Sequence, residues 1–384
     1  MSSSINKEDK KNLRIALVAG EKSGDKLGGD LILSLKKIFP NAKFLGVGGE
    51  EMIAAGMESF FDMEKISVMG ILEPLLNIFE LLSLRKRLKE FLVEQNPDIF
   101  IGIDAPDFNL PISKFLKQRT RTKTVQYVSP SIWAWREGRI KTIEKSVDKV
   151  LTLFPFEKEA YKNSTLDVTF VGHPLAHKFS ENINKKEIRK RKSINPDAKI
   201  VALLPGSRTA EVSRIIKVLL KTASKIKELD ESVLFFMPFA TIDHQLLVTN
   251  KKEYEWIKFS VGDSQEVLSY SDIGIVTSGT ATLEAALLQT PMVVVYRTSW
   301  LTYNLVKPLL KVSEYALPNL LSGKKVVTEL IQDEVTSSNL LEAFIQLDKE
   351  DYQNTLKEFR HIHSELKSRG PQTAANCIAE MVKC

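Results

Sequence analysis

One segment that could contact an anionic ligand directly follows an apolar run near the start of the chain. It reads AGEKSGDKLGGDLI at 19–32, with Glu21, Ser23 and Gly24 at the turn. Glycine lets backbone approach a ligand, and the N-terminus of a helix favours anions. The pattern lacks the GK[ST] ending of a Walker loop and the GxGxxG spacing. It predicts a strand–helix turn that is either a ligand site or a turn where Ser23 or Asp25 caps the helix.

A second segment, IGIDAPDFNL at 101–110, places Asp104 directly at the end of a buried strand. A carboxylate at the carboxyl end of a strand is well placed to take a proton from a substrate hydroxyl as a general base. Asp107 and Asn109 follow, and both residue types also favour turns for purely structural reasons. Asp104 is therefore the predicted catalytic residue.

Two further segments have the character of phosphate-binding turns. In LLPGSRTAEVSR (203–214), the backbone at Gly206, the Ser207 hydroxyl and the Arg208 fork can together hold a diphosphate. IGIVTSGTATLEAALLQTPMVVVY (273–296) repeats this architecture. Its four predicted binding residues are Ser278, Gly279, Thr280 and Glu284.

Glu284 can accept hydrogen bonds from a ribose, and the alternative is a capping box with the hydroxyl residue a turn earlier.

Trp133 and Trp135 can pack on a sugar, although tryptophans are more often core or interface residues. His173 and His177 have the i,i+4 spacing of a zinc site, but Pro174 interrupts the helix and no HExxH glutamate lies between them. The sequence therefore predicts no metal.

These segments require a scaffold of parallel strands. Val/Ile/Leu-rich runs alternate with helical patterns, which is typical of strands covered on both faces in a doubly wound sheet. The predicted strands lie within 14–20, 98–104, 123–129, 149–155, 199–207, 233–239, 272–279 and 291–297. Ligands of such sheets bind beyond the carboxyl ends of the strands.

The series of strands restarts after a charged stretch at 181–199, which predicts two Rossmann-like domains facing a cleft. We expect an N-terminal domain at 1–182, a second at 183–347, and C-terminal helices at 348–384 broken at Arg369-Gly370-Pro371. These helices are predicted to pack on the N-terminal domain or on the partner subunit of a homodimer.

Composition excludes several classes of protein. The two cysteines, Cys377 and Cys384, leave no disulfide framework and indicate a reducing compartment. The polar first residues are expected to form a short tail rather than a signal peptide. The net charge of +6 suits anionic partners, but no nucleic-acid motif is present. The apolar stretch at 66–82 contains Glu73, Pro74, Asn77 and Glu80, so it is predicted to lie on a membrane surface or in the core rather than to span a bilayer.

Seven segments occur in one order along the chain: GE-x-SGD (20–25), GIDAPDFN (102–109), QYVSPSIWAWR (126–136), GHPL (172–175), LPGSR (204–208), SGTATLE (278–284) and LPNLL (317–321). Together they resemble the lipid-A-disaccharide synthase family over nearly the full chain. GIDAPDFN and SPSIWAWR are quite specific, whereas SGT with a following Glu is shared by other transferases of the GT-B fold. The family commonly has Asp near the position of His177, which leaves that position without an assigned role.

The resemblance implies an inverting glycosyltransferase of the GT-B fold without metal or cofactor. UDP-2,3-diacylglucosamine would donate its sugar to 2,3-diacylglucosamine 1-phosphate on the anionic cytoplasmic face of the inner membrane. Asp104 would be the base, Arg208 the diphosphate contact and Glu284 a nucleotide contact. Glu21, Ser23 and Asn319 would be further cleft residues. The N-terminal domain at 1–182 would be the acceptor domain, and the second domain at 183–347 would be the nucleotide-sugar domain.

Other classes of function remain open at this stage. A UDP-N-acetylglucosamine epimerase or another glycolipid transferase would use the same fold. A catalytically silent nucleotide-sugar or lipid-binding protein is a second class, although Asp104, Arg208 and Glu284 together argue against it. Dependence on acylated substrates would distinguish the implied transferase from an epimerase, because a soluble epimerase needs no lipid.

Overall fold

The protein is described by a computed structural model over residues 13–66, 78–132, 137–300, 303–304, 307 and 314–383. The chain divides into two compact units. The first comprises Met1–Pro174 together with Ser368–Cys384, and the second comprises Leu175–Lys367. Residues 67–77 of the predicted membrane-surface or core segment, and both Trp133 and Trp135, lie outside the described residues.

The first unit contains a seven-stranded parallel sheet in the order β3-β2-β1-β4-β5-β6-β7. Its strands are β1 (Arg14–Ala19), β2 (Lys43–Val47), β3 (Met57–Ser59), β4 (Ile99–Ile103), β5 (Lys123–Tyr127), β6 (Lys149–Thr152) and β7 (Asp167–Phe170). All five residues of β4 are buried, as expected for a strand covered on both faces. Ala19 pairs with Ile103, so the loops that follow β1 and β4 leave the sheet side by side.

The second unit contains a six-stranded parallel sheet in the order β10-β9-β8-β11-β12-β13. Its strands are β8 (Ile200–Leu204), β9 (Leu234–Phe239), β10 (Ile257–Val261), β11 (Ile273–Thr277), β12 (Met292–Tyr296) and β13 (Thr328–Ile331). In the register, Val276 of β11 lies beside Leu204 of β8. The loops after these two central strands therefore emerge together at the carboxyl edge of the sheet.

Helices connect the strands of both sheets. In chain order they are α1 (Lys22–Ile38), α2 (Glu50–Ala54), α3 (Ile78–Gln95), α4 (Pro106–Arg119), α5 (Ile140–Ser146), α6 (Pro174–Lys178), α7 (Lys185–Arg191), α8 (Thr209–Leu229), α9 (Ile242–Leu246), α10 (Ser264–Tyr270), α11 (Thr280–Leu287), α12 (Leu317–Ser322), α13 (Ser337–Gln346), α14 (Tyr352–Lys367) and α15 (Pro371–Lys383). No helix in the described part of the chain is long and apolar enough to cross a membrane.

The prediction of two doubly wound parallel α/β domains is confirmed, and each of the eight predicted runs contains an observed strand. The division between the units falls at Pro174–Leu175 rather than at the predicted 182–183. The C-terminal helices also separate, because α14 belongs to the second unit and α15 to the first. In α14 the buried His363 bonds through Nε2 to the carbonyl of Ala176 at 2.9 Å, whereas α15 buries Ile378 in the core of the first unit.

Candidate active site

The two phosphate-type turns of the second unit line one cavity of about 250 Å³. Six predicted binding residues meet there: Gly206, Ser207, Ser278, Gly279, Thr280 and Glu284. The sequence reasoning did not select Thr277, whose buried hydroxyl donates to the carbonyl oxygen of Leu204 at 2.9 Å. This bond fastens the end of β11 to the end of β8 and so fixes the spacing of the two turns.

Two helix N-termini border this cavity, since α8 begins at Thr209 and α11 at Thr280. No side chain caps either helix at its N-cap residue, Arg208 or Gly279. Amide groups at the start of a helix lack partners within the helix and carry partial positive charge. Both ends therefore suit the negatively charged oxygens of a diphosphate.

Glycine is required at two points of the cavity wall. Gly206 has φ +110° and Gly279 has φ +151°, values that L side chains rarely adopt. A Cβ at Gly206 would lie 3.1 Å from Glu211 Oε2, whereas no atom of the residues that the structure describes approaches a Cβ built on Gly279 within 4 Å. The backbone at Gly279 thus faces open space in which a ligand can approach.

Of the two charged residues predicted at this site, Glu284 lines the cavity and Arg208 does not. Arg208 is not among the residues lining the cavity; its side chain is 81% exposed and its NH1 lies 3.3 Å from Glu211 Oε1. Glu284 lines the cavity and accepts from Gln265 Nε2 at 2.7 Å. The capping-box alternative for Glu284 is wrong, because the N-cap residue of its helix is Gly279, which has no side chain to complete the box.

Asn319 lies in the second unit but is not among the residues that line this cavity. Its side chain is 1% exposed, and its Oδ1 accepts from the Val326 and Val327 amides at 2.7 and 2.9 Å. Its Nδ2 donates to Glu329 Oε1 at 2.8 Å, while the Glu329 carboxylate also accepts from the Tyr315 amide at 2.9 Å. Burial raises the pKa of Glu329 against these hydrogen bonds. The contacts make Asn319 a brace for the segment that follows α12 and leads into β13.

In the first unit, Asp104 directly follows β4 on a constrained turn. Asp104 has φ +49° and Ala105 has φ +39°, both in the left-handed region. Such conformations cost non-glycine residues about 1–3 kcal/mol each and persist only where surrounding structure enforces them. Burial raises the pKa of Asp104, and a hydrogen bond from the Ala105 amide opposes that rise. A carboxyl group held in this way is suited to exchange a proton.

Two buried amide side chains fix the Asp104 turn. Asn109 Nδ2 and Gln126 Nε2 each donate to the carbonyl oxygen of Asp104 at 3.0 Å. Gln126 Nε2 also donates to the Val128 carbonyl at 3.3 Å. Asn109 was interpreted as a turn former in the sequence, and Gln126 was not selected as a functional residue. Gln126 lies on the neighbouring strand β5, whose pairing with β4 local sequence does not reveal.

We expect Gln126→Leu to lower kcat about tenfold while leaving UDP affinity unchanged, because small misplacements of a reacting group are costly to catalysis. The matched control is Thr124→Val on the same strand, which removes a buried hydroxyl bonded to Asp148 at 2.9 Å. Steady-state kinetics and UDP titration of both variants test this. Equal losses of kcat in the two variants would assign Gln126 to general stability.

The loop after β1 lies next to the Asp104 turn: a Cβ on Gly20 would be 3.1 Å from that of Ala105. Glu21 is the N-cap of α1 and forms no side-chain cap bond, while Glu21 and Ser23 are both exposed. Gly24 is buried, and a Cβ there would lie 3.4 Å from that of Ala19, so it allows close packing of helix on strand. Glu21 and Ser23 therefore remain predicted ligand contacts on the Asp104 side.

Asp25 has a different role from either sequence interpretation. Its carboxylate accepts from the backbone amides of Gly49, Glu51 and Met52 at 2.8, 3.0 and 3.1 Å. The prediction that it caps its own helix or faces a ligand is wrong, because these bonds commit it to the N-terminus of α2. Fixing α2 against α1 is a structural function.

The two histidines belong to different units, since the division follows Pro174. Burial lowers the pKa of His173 to about 4, so its ring is neutral at physiological pH. That ring stacks on Phe154 with centroids 5.3 Å apart. His177 lies in the last turn of the short helix α6. The neutral ring of His173 therefore packs against an aromatic partner, Phe154.

Comparisons with known proteins agree with the resemblance. The family model for lipid-A-disaccharide synthetase matches residues 15–382. A lipid-A-disaccharide synthase from Idiomarina loihiensis is 42% identical over 369 residues, covering 95% of this chain and 97% of the relative.

Two solved structures share the fold. UDP-GlcNAc 2-epimerase from Neisseria meningitidis, bound to UDP-GlcNAc, has a TM-score of 0.63 and 14% identity over 96% of this chain and 99% of the other. The calicheamicin glycosyltransferase CalG4 has a TM-score of 0.61 and 14% identity over 97% and 99%. At this identity the two structures establish the GT-B architecture only, whereas the family match and the close relative establish that the chain belongs to the lipid-A-disaccharide synthase family.

Proposed function

We propose that the chain transfers 2,3-diacylglucosamine from its UDP derivative to the 6-hydroxyl of 2,3-diacylglucosamine 1-phosphate. The products are the β-1,6-linked disaccharide 1-phosphate of lipid A biosynthesis and UDP. Membership of the family supports the reaction class. The observation that carries the proposal is the second-unit cavity, where two uncapped helix N-termini meet around Gly206, Ser207, Ser278, Gly279 and Thr280.

In this mechanism Asp104 takes the proton from the acceptor hydroxyl. The hydroxyl oxygen then attacks the anomeric carbon of the donor, and the bond from that carbon to the UDP oxygen breaks. The electron pair of that bond leaves with UDP, and the configuration at carbon inverts. A single base is sufficient, in contrast to the paired carboxylates of a retaining glycosidase. The raised pKa of Asp104 makes its carboxylate a better base than an exposed one.

The second unit would hold the nucleotide in this proposal. Amides at the starts of α8 and α11, with the Arg208 guanidinium, stabilise the negative charge that develops on the leaving diphosphate. Glu284 accepts hydrogen bonds from the ribose hydroxyls, and Gln265 orients its carboxylate from 2.7 Å away. Because these groups supply the positive charge, the proposal includes no metal and no cofactor.

The decisive experiment uses the purified chain with both acylated substrates, detecting UDP and the disaccharide together. Formation of both in equal amounts supports the proposal, and omission of either substrate must abolish them. An epimerase would instead convert UDP-N-acetylglucosamine without any lipid acceptor. Observation of that conversion, without disaccharide, would replace the proposed reaction by the epimerase alternative.

We further propose that the chain works at the anionic cytoplasmic face of the inner membrane, because both substrates carry acyl chains. Helix α3 supports this: Phe79 is 82% exposed and Leu82 is 43% exposed near its start. Lys86 and Arg87 follow and are exposed, and basic residues near an anionic bilayer contribute about 1 kcal/mol each. Leu88 of the same helix is fully buried, so one face anchors α3 in the core.

We expect the double variant Phe79→Ser/Leu82→Ser to lower co-sedimentation with anionic liposomes about tenfold or more. Each large apolar side chain contributes about 1.5–3 kcal/mol when it leaves water. High salt should weaken binding of the unmodified chain only partly, since apolar insertion is not screened. Thermal stability should stay similar because both side chains are exposed.

The matched control is Leu33→Ser on α1 of the same unit, where Leu33 is 53% exposed. If this control reduces liposome binding as much as the double variant, membrane contact is not localised to the start of α3.

The proposal also includes a homodimer. Sedimentation of the purified chain at several concentrations tests it.

A further inference from the structure

The turns that follow β4 and β5 share a constrained backbone conformation. Asp104, Ala105 and Val128 have φ +49°, +39° and +77°, all in the left-handed region. Strands β4 and β5 pair in parallel with Ile103 beside Tyr127, so all three residues directly follow the ends of neighbouring strands. Residues other than glycine adopt this conformation only where their surroundings enforce it, and they concentrate at functional sites. Both turns lie at the carboxyl edge of the sheet, where the ligands of such folds bind.

Val128 is the least expected of these residues. Eight residues other than glycine have positive φ in the described part of the chain, and Val128 is the only one of them with a β-branched side chain. Branching at Cβ makes a residue a marked outlier in the left-handed region, whereas glycine enters it without strain. A turn that served only to redirect the chain would favour glycine. Valine at this position therefore indicates a role of the side chain that offsets the strain.

One buried side chain connects the Val128 turn to the Asp104 turn. Gln126 Nε2 donates to the carbonyl oxygens of Asp104 and Val128 at 3.0 and 3.3 Å. The Asp104 amide donates to the carbonyl oxygen of Tyr127 at 2.8 Å, and the Val128 amide donates to that of Leu151 at 3.0 Å. Because two carbonyl oxygens lie within hydrogen-bond distance of one nitrogen atom, the two turns are immediate neighbours.

The side chain of Val128 is only half-buried. Part of its surface packs against the core of the first unit, as does that of Ala105. The rest is open to solvent next to the Asp104 turn. An apolar surface at this place suits the part of an acceptor sugar nearest to the reacting oxygen, because the 6-hydroxyl is carried by a methylene group.

We propose that Val128 is an acceptor-contact residue, whose methyl groups pack against the C–H surface of the acceptor sugar at its 6-methylene. This inference rests on the proposed function, in which Asp104 takes the proton of the 6-hydroxyl. Gln126 then fixes the spacing between the base and the apolar surface, because it bonds to both turns. A ring hydroxyl presented to Asp104 lacks the methylene that Val128 contacts, so the Val128 turn favours attack by the primary hydroxyl.

The kinetic test uses Val128→Gly and Val128→Asn, with both acylated substrates in detergent micelles. Glycine removes the side chain and the strain, whereas asparagine keeps a side chain of similar size that is polar and tolerates the left-handed region. We expect both variants to raise KM for the acceptor about tenfold, as for the loss of one buried apolar contact. The KM of the UDP donor should not change, because the proposed nucleotide site belongs to the second unit.

Thermal unfolding and matched controls separate this role from packing. Val128→Gly should be at least as stable as the unmodified chain, as should Ser193→Gly, which relieves a φ of +56° elsewhere. Val93→Asn, on a valine of α3 that is 40% exposed, is the control for the polar change. Neither control should change the acceptor KM.

An unchanged acceptor KM in either Val128 variant would overturn the proposal. If kcat falls while the acceptor KM stays the same, Val128 only positions the Asp104 turn. If Val128→Gly does not fold, Val128→Asn decides the question by the same comparison with Val93→Asn.

A binding test separates this inference from the proposed reaction. Glucosamine 1-phosphate, which carries the 6-hydroxyl but no acyl chain, is titrated by calorimetry into the full chain and both Val128 variants. We expect its affinity to fall about tenfold in both variants. A loss seen only with the acylated acceptor would assign the contact to an acyl chain and contradict the proposal. Equal binding by all three proteins, or no binding by the unmodified chain, would also overturn it. If the unmodified chain forms no disaccharide, the proposed reaction fails, while this titration still decides whether Val128 contacts the sugar.

Discussion

Asp104→Asn is expected to lower turnover by about two orders of magnitude or more, the scale for loss of a general base. Asparagine keeps the shape of the side chain but cannot accept the proton of the acceptor hydroxyl. UDP binding should remain normal, because the proposed nucleotide site belongs to the second unit. Burial raises the pKa of Asp104, so its ionised form is disfavoured by folding at neutral pH. The neutral variant should therefore be at least as stable as the original.

The pH profile gives an independent readout of Asp104. In the proposed mechanism activity requires the ionised carboxylate, so kcat/KM should fall as pH drops through a pKa that burial raises above the ordinary value of an aspartate. That acidic limb should be absent from the residual activity of Asp104→Asn. The control is Asp107→Asn on the following turn, whose carboxylate is 76% exposed and pairs with Arg139. Near-normal turnover in Asp104→Asn would assign the base elsewhere, with Glu21 the first candidate.

Arg208→Ala is expected to weaken UDP and UDP-sugar binding about tenfold to a hundredfold. Hydrogen bonds to charged groups contribute about 1.5–3 kcal/mol, and 1.4 kcal/mol corresponds to a tenfold change. The 81% exposed guanidinium has one ion pair in the described chain, with Glu211 at 3.3 Å, and can reorient toward a diphosphate. Lysine at this position should restore only part of the affinity, because it lacks the planar fork.

Calorimetric titration of UDP measures this loss, with the exposed Arg191→Ala as control. Equal affinities of Arg208→Ala and the unmodified chain would make Arg208 a structural residue. Turnover should also persist in EDTA, because arginine and helix N-termini take the place of a metal in the proposal. Strong inhibition that magnesium reverses would contradict that part of it.

The central strands were predictable because burial on both faces leaves a continuous apolar run in the sequence. The strands absent from the prediction were β2, β3, β7, β10 and β13. Four of them, β3, β7, β10 and β13, are edge strands, and β2 lies next to an edge. All four residues of β13 are half-buried, and β10 has one buried residue. Their sequences are mixed because one face or edge contacts solvent.

The candidate site was predictable where chemistry is local to one turn. Gly206, Ser207 and Ser278 were predicted from strand–helix junctions, and parallel strands bring such junctions to one edge. Asp25 was misinterpreted because its partners come from another element, the start of α2. The bonds of Asn319 to β13 were likewise not visible in the sequence, while its role as a cleft residue stays a prediction. A carboxylate or amide has the same appearance in sequence whether it binds a ligand or the backbone of a distant loop.

The return of α15 to the first unit makes the second unit, Leu175–Lys367, an insertion within the first. Ala374, Ala375 and Ile378 are fully buried in the same core as Leu31, Ile32 and Leu35 of α1. During translation, this part of the first core leaves the ribosome uncovered and stays so until the whole inserted unit has been synthesised. Domains that emerge first usually complete their folding first. Here we expect the reverse order, in which the unit that begins the chain completes its core last.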